Sequence, residues 1–195
     1  KPMNLTSGSW SAPLTNKLLM DAGITYLDGS YYYRPTSAFV KGAIPVTEQS
    51  PAPGDPATFR GRLTDQTTLF PTLNARYTVN YVTGTNSIQT GFTLGRGKNA
   101  QTTYAENPSF PVQYTVNRGV PTQVQIGAYD QKTDARTGAD IGLYVQDKWT
   151  KGKFTVAGGL RFDYLYTYAA PISLGPAPML PSRNLSFAKT DTLRW

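Results

Sequence analysis

The chain has 195 residues, with 19 Lys plus Arg against 12 Asp plus Glu, for a formal net charge of +7. It contains neither Cys nor His, which excludes thiol nucleophiles, disulfide scaffolds, Cys/His zinc sites and any triad or acid–base scheme built on imidazole. Charged residues are 16%, against roughly 25% in soluble domains, and 13 Tyr, 18 Gly and 15 Pro mark a strand-and-turn composition rather than a helix bundle.

The sequence opens Lys1-Pro2-Met3 with no basic stretch followed by an apolar core, so no signal peptide is expected. There is no apolar run of about 18 residues, hence no helix able to span a bilayer. Transmembrane β-strands pass that test, since each needs only about 9–11 residues with every second one apolar.

In chain order, the first expected strand covers 16–27. Leu18, Met20, Ala22, Ile24 and Tyr26 alternate with Lys17, Leu19, Asp21, Gly23 and Thr25. A helix competes there, with Thr15 as N-cap and Gly23 as stop. Residues 28–71 hold Pro35, Pro45, Pro51, Pro53 and Pro56 and read as a long loop. Within it, Tyr31, Tyr32, Tyr33 and Arg34 suit a ligand surface working by stacking and hydrogen bonding, and equally an aromatic girdle at a membrane interface.

The cleanest alternation covers 73–82, with Leu73, Ala75, Tyr77, Val79 and Tyr81 on one face and Asn74, Arg76, Thr78 and Asn80 on the other. The turn cluster 83–86 follows, then a strand over 87–95, which together predict a hairpin. Gly95-Arg96-Gly97-Lys98 lacks the Ser/Thr and the spacing of a phosphate loop, so it reads as a strand end entering a loop, with Arg96 on the extracellular side. A short hairpin is expected over 113–116 and 122–128. Residues 102–111, 130–140 and 169–181 read as loops. Asp130, Asp134 and Asp140 lack the calcium-loop spacing and read as solvated carboxylates.

A second long hairpin is expected from strands 141–149 and 154–166 around the turn 150–153. Phe154, Val156, Leu160, Phe162 and Tyr164 share one face, and Arg161 and Asp163 the other. A strand face with an Arg and an Asp two residues apart suits a wet lumen wall better than a dry core. Trp149 and Phe154 flank the turn as a girdle would. Tight connections alternate with long ones rich in Pro, Gly and Thr, as in outer-membrane barrels with short periplasmic turns and long extracellular loops.

The segment Ile141–Trp149 with Tyr144-x-Gln146-Asp147-x-Trp149, a short turn, and Gly159-x-Arg161-Phe162-Asp163 resembles a hairpin common in TonB-dependent outer-membrane receptors. Gly8-Ser9-Trp10-x-Ala12-Pro13-x-Thr15-Asn16-Lys17-Leu18-Leu19, Val82-Thr83-Gly84-Thr85-Asn86 and Asn117-Arg118-Gly119-Val120-Pro121 are similar to stretches of the Oar-like receptors, which carry a carboxypeptidase-regulatory-like N-terminal domain. The resemblance implies an all-β fold: an antiparallel transmembrane β-barrel segment with long extracellular loops, residues 1–195 forming part of one barrel without its plug. It implies energised uptake of a large ligand such as a siderophore or glycan, in the outer membrane. The implied partners are outer-membrane lipid, the remaining barrel and plug, and a TonB-type energy-coupling protein.

The expected lumen wall comprises Arg76, Gln146, Arg161 and Asp163; the expected extracellular ligand surface comprises Tyr31, Tyr32, Tyr33, Arg34 and Arg96. No catalytic residue, cofactor, metal or nucleic-acid partner is expected, the basic residues being scattered. The family pattern leads to the expectation of two open sheet edges, with a further strand beginning near 190–195. Two other classes remain open on the residues alone. One is a small stand-alone outer-membrane channel or adhesin, and the other a soluble β-sandwich or barrel that binds a ligand.

Overall fold

The period-2 pattern folds as alternation dictates: each apolar/polar run becomes a pleated strand with one greasy face and one polar face. The computed structural model describes residues 3–33, 40, 42–55 and 57–195. Among these the fold is all-β, without helix.

A nine-stranded antiparallel sheet forms the body of the molecule. In spatial order its main path runs β1 (Asn4–Pro13), β2 (Leu18–Asp28), β7 (Thr72–Val82), β8 (Asn86–Ala105), β11 (Gln131–Lys151), β12 (Phe154–Ala169) and β15 (Thr190–Arg194). β3 (Ser30–Tyr33) pairs with β6 (Thr64–Leu69), which in turn pairs with the far half of β8. A four-stranded sheet orders β10 (Val120–Ile126), β9 (Val112–Asn117), β4 (Val46–Glu48) and β5 (Thr58–Phe59), with β4 and β9 parallel. β13 (Ile172–Leu174) and β14 (Leu185–Phe187) pair with each other.

Three tight connections share one rim, called proximal below. The β7–β8 turn closes with Val82 opposite Ser87, and the β11–β12 turn with Lys151 opposite Phe154. The Thr150 N–H donates to the Thr85 carbonyl at 2.8 Å, so these two turns are neighbours. The β1–β2 turn joins them, since the Val82 N–H donates to the Lys17 carbonyl at 2.8 Å. In the β11–β12 loop Gly152 takes a positive φ of 60° in the first of two turn positions, which suits the twist of a two-residue hairpin. Both long hairpins therefore match expectation, their turns lie on one rim as the short turns of a barrel do, and residues 18–28 are strand rather than helix.

Other expectations change. The strand expected over 87–95 continues to Ala105, and the one expected from 141 begins at Gln131, so 102–105 and 131–140 are ladder rather than loop. The stretch 28–71, expected as loop, holds β3 to β6. β1, β13, β14 and β15 were not anticipated as strands by alternation, although β15 lies where the family pattern places a further strand. β13 and β14 are three residues each and β15 five, too short for alternation to register, and in β1 Thr6 and Gly8 take positions on the face that carries Trp10 and Ala12.

The apolar residues buried among those described, Val46, Ala105, Val112, Ala170 and Ala177, belong to the distal segments and not to the body of the large sheet. Arg183 stitches these segments together, its guanidinium donating to the carbonyls of Gly175 (2.6 Å), Ala128 (3.1 Å), Tyr129 (3.3 Å) and Asp130 (3.3 Å). Among the described residues the large sheet does not close on itself: its path ends on β1 at one side and on β12 with β15 at the other. β15 covers β12 only from Tyr166 to Ala169, which leaves the proximal edge of β12 open.

Candidate functional site

Residues directly opposite across a ladder share a face, so the register sorts every side chain of the large sheet. One row runs Trp10, Ala22, Tyr77, Phe92, Leu143, Phe162; the next runs Ala12, Met20, Val79, Thr90, Val145, Leu160. This apolar face has no protein layer upon it among the described residues. Leu160 is 79% exposed, Phe154 76% and Phe162 61%. Tyr77 and Phe92 pack as a tilted pair at 5.9 Å. Near the proximal rim Asp147 interrupts the band. Its carboxylate accepts from the Asn86 side-chain amide, and Trp149 lies two residues further on.

The opposite face carries all four expected lumen residues, Arg76, Gln146, Arg161 and Asp163. Arg161 donates from Nε to Asp163 at 2.8 and 2.9 Å, and its Nη2 lies 2.7 Å from the same carboxylate. Gln146 donates to Gln89 at 2.6 Å, and the Thr78 and Tyr144 hydroxyls are bonded at 2.9 Å across β8. Large polar side chains lie flat because a glycine occupies the neighbouring strand. A Cβ on Gly91 would overlap the Tyr77 carbonyl and come within 2.8 Å of the Tyr144 hydroxyl, and one on Gly142 would strike the Arg161 guanidinium. A groove of about 570 Å³ crosses this face between Arg76 and Asp140, lined also by Ser9, Thr25, Asn74 and Thr93.

The described residues of the expected extracellular surface do not share one face. In the β3–β6–β8 register Tyr31 and Tyr33 fall on the polar side and Tyr32 on the other. Tyr31 packs on Phe70 at 5.9 Å, and the Arg62 guanidinium stands 3.9 Å over the Tyr33 ring. Arg34 lies outside the described residues. Arg96 is opposite Leu73, itself opposite Tyr26, so it sits on the apolar side at the distal margin of the band.

A bulge shapes that margin. β11 places both Gly138 and Ala139 against Arg96, the ladder resuming with Thr137 opposite Gly97 and Asp140 opposite Gly95. One extra residue exchanges the two faces. Below the bulge the even positions Asp140, Gly142 and Tyr144 are on the polar face; above it Arg136 and Asp134 are on the apolar side. Arg136 clamps Asp134 with bonds of 2.9 and 2.7 Å. That clamp, with the nearby charge of Lys98, holds the Asp134 carboxyl below its ordinary range. Gly138 has no room for a side chain, since a Cβ there would lie 2.7 Å from the Tyr166 ring.

In the distal small sheet Glu48 anchors the β9–β10 turn. Its carboxylate accepts from the backbone N–H groups of Arg118 (2.8 Å), Ser50 (2.9 Å) and Gly119 (3.0 Å). Arg118 and Gly119 both have positive φ, 50° and 77°, as a two-residue hairpin turn requires. The backbone donors of Ser50 and Gly119 hold the Glu48 carboxyl below its ordinary value.

Sequence reasoning missed Tyr144, Gln89, Lys98, Arg136 and Glu48. Lys98 was legible, because alternation carried past Leu94 puts Arg96 and Lys98 on one side. The Thr137-Gly138-Ala139 step carried a bulge signal, a lone Gly within a strand. Glu48 had none, since its turn lies some seventy residues away. No known family model, curated protein or solved structure matches the chain.

Proposed function

We propose that the chain forms part of the wall of an outer-membrane receptor of the TonB-dependent kind, serving energised uptake of a ligand too large for open pores. The observation that carries the membrane part is the bare apolar face. From Phe154 to Tyr164 it extends ten steps along β12, about 34 Å of strand at ~3.4 Å per residue. Tilted at ~40–45°, that is about 25 Å of height, the apolar band of an outer-membrane barrel. The aromatic residues Trp149 and Phe154 at the proximal end and Tyr26, Tyr164 and Tyr166 at the distal end fit the two interfaces.

In this reading the polar face lines the lumen, where Arg161, Asp163 and Gln146 remain hydrated, and the distal sheets belong to the extracellular side. The receptor identity rests on the Tyr144-x-Gln146-Asp147-x-Trp149 hairpin motif and its Gly159-x-Arg161-Phe162-Asp163 return. The open edges of the sheet favour a wall completed by further strands over a small stand-alone barrel. The bare apolar face disfavours a soluble sandwich, which needs a second layer there.

Single cysteines carrying environment-sensitive labels at positions 160 and 161 test the reading, in the whole protein purified in mild detergent and moved into bilayer nanodiscs. Label 160 is expected to report hydrocarbon and label 161 water. Water at both positions would remove the membrane wall and leave a soluble ligand-binding protein.

A further inference from the structure

Beyond its last apolar row, the apolar face becomes cationic and aromatic. Arg96 and Lys98 follow one another on that face of β8, and the Gly138 bulge delivers Arg136 opposite Lys98. Arg136 is in turn opposite Tyr168, and Tyr164, Tyr166 and Tyr168 succeed one another along β12. Tyr166 and Tyr168 stack at 5.5 Å, with the Lys189 ammonium 4.9 and 4.5 Å from their ring centres. Arg194 donates to the Tyr164 hydroxyl at 3.1 Å. Across β2, β7, β8, β11 and β12 a recess of about 340 Å³ opens, lined by Tyr26, Leu73, Arg96, Arg136, Gly138 and Tyr168.

The acids at this level are Asp28, Asp134 and Asp191. Asp134 is engaged by Arg136, and Asp191 accepts from the Tyr166 hydroxyl at 2.6 Å and faces Lys189 at 3.7 Å. Arg96 and Lys98 make no ion pair within 4.0 Å among the described residues. Arg96 and Lys98, the latter near enough to Asp134 for its charge to be felt there, thus stand about 7 Å apart along the strand, at the border of an uncovered apolar band. An anion at that border completes them by charge-assisted hydrogen bonds.

We propose that this recess binds the phosphate of a membrane-lipid headgroup whose acyl chains lie along the apolar face below. Arg96 holds the phosphate from the recess wall and Lys98 reaches it from outside the lining, at the next position on the same face of β8, while the Tyr26 and Tyr168 rings and hydroxyls meet the polar backbone of the lipid. The proposal rests on the membrane reading above and adds to it a lipid class and a site. Its source is a lipid because the recess is continuous with the apolar band through Leu73, so a phosphate held there keeps its attached chains out of water.

The whole protein, in nanodiscs of phosphatidylcholine containing a minor share of phosphatidic acid, is expected to retain phosphatidic acid above its bulk share in native mass spectrometry. Each basic residue at an anionic surface is worth about a five-fold change in affinity, so Arg96→Gln with Lys98→Gln is expected to weaken retention about 25-fold. Arg118→Gln, which removes a distal charge and leaves the backbone N–H bonded to Glu48, is expected to leave it unchanged. Quenching of Trp10 and Trp149 by brominated phosphatidylcholine reads insertion separately, in wild type and variants. Quenching without selective retention, or retention indifferent to the double variant, overturns the site and leaves the membrane wall standing. Loss of retention to millimolar inorganic phosphate also overturns it, in favour of a soluble anion. Absence of quenching in wild type overturns both.

Discussion

Gly91 and Gly158 show how differently one residue type is used on the two faces of a single sheet. Gly91 is the bed on which the Tyr144 ring lies on its way to Thr78, whereas nothing lies within 4 Å of a Cβ at Gly158. Gly91→Ala is expected to destabilise by ~1–3 kcal/mol, as overpacking does. Gly158→Ala should stay within ~0.5 kcal/mol, as substitutions clear of packed neighbours do. Thermal unfolding of the two variants side by side reads the difference, and equal losses would remove the role given to Gly91. Glu48 belongs to the same scale. Its carboxyl titrates below the ordinary value of about 4.5 in the folded chain, because backbone N–H groups bind the charged form. Its contribution is therefore complete above that value and is lost as pH falls through the lower, folded one. Protection of the Ser50, Arg118 and Gly119 amides, relative to their intrinsic exchange at each pH, is expected to fall below about pH 4.5, and Glu48→Gln should show the reduced protection already at neutral pH.

The strand β11 works as one element with two halves of opposite facing. Below Gly138 its alternation is the hydrophobic one that the sequence displays, and the ladder with β8 runs from Asp140 to Trp149. Above it the ladder continues from Thr137 to Gln131 with the faces exchanged. Removing Gly138 takes away the extra residue, so Arg136 and Asp134 would have to turn to the polar side or give up their pairing. Deletion of Gly138 is expected to raise hydrogen exchange across 131–137 while 141–149 stay protected. Unchanged protection on both sides would mean that the bulge sets no register. The stacked Tyr166 and Tyr168 leave no space for a side chain at this position, so a substitution there should loosen the same distal half.

At the scale of the molecule, the main path of the large sheet ends unpaired among the described residues, on the outer side of β1 at one end and on the proximal length of β12 with the outer side of β15 at the other. An unpaired strand edge in hydrocarbon leaves N–H and C=O groups without partners, at several kcal/mol per group. In the proposed wall these edges are paired by further strands. The 195 residues refolded alone in detergent are expected to oligomerise or aggregate, with no heat-modifiable monomer on gel electrophoresis. A closed, heat-modifiable monomer of these residues alone would instead promote the small-channel alternative.

Alternation and turn chemistry alone determined the two long hairpins and the faces of Arg76, Gln146, Arg161 and Asp163, while their shared rim followed only with the barrel pattern of short turns on one side. The reason is local: the pleat has a period of two, so a residue's face follows from its parity between one turn and the next irregularity. The tertiary structure decided what parity could not reach. The Gly138 bulge resets the count and brings Arg136 beside Lys98. The split of Tyr31 and Tyr33 from Tyr32 follows from pairing with β6, and the β4–β9 parallel pair joins segments more than sixty residues apart. Most strands above the apolar band are too short for alternation to read, so their backbone pairing defines them.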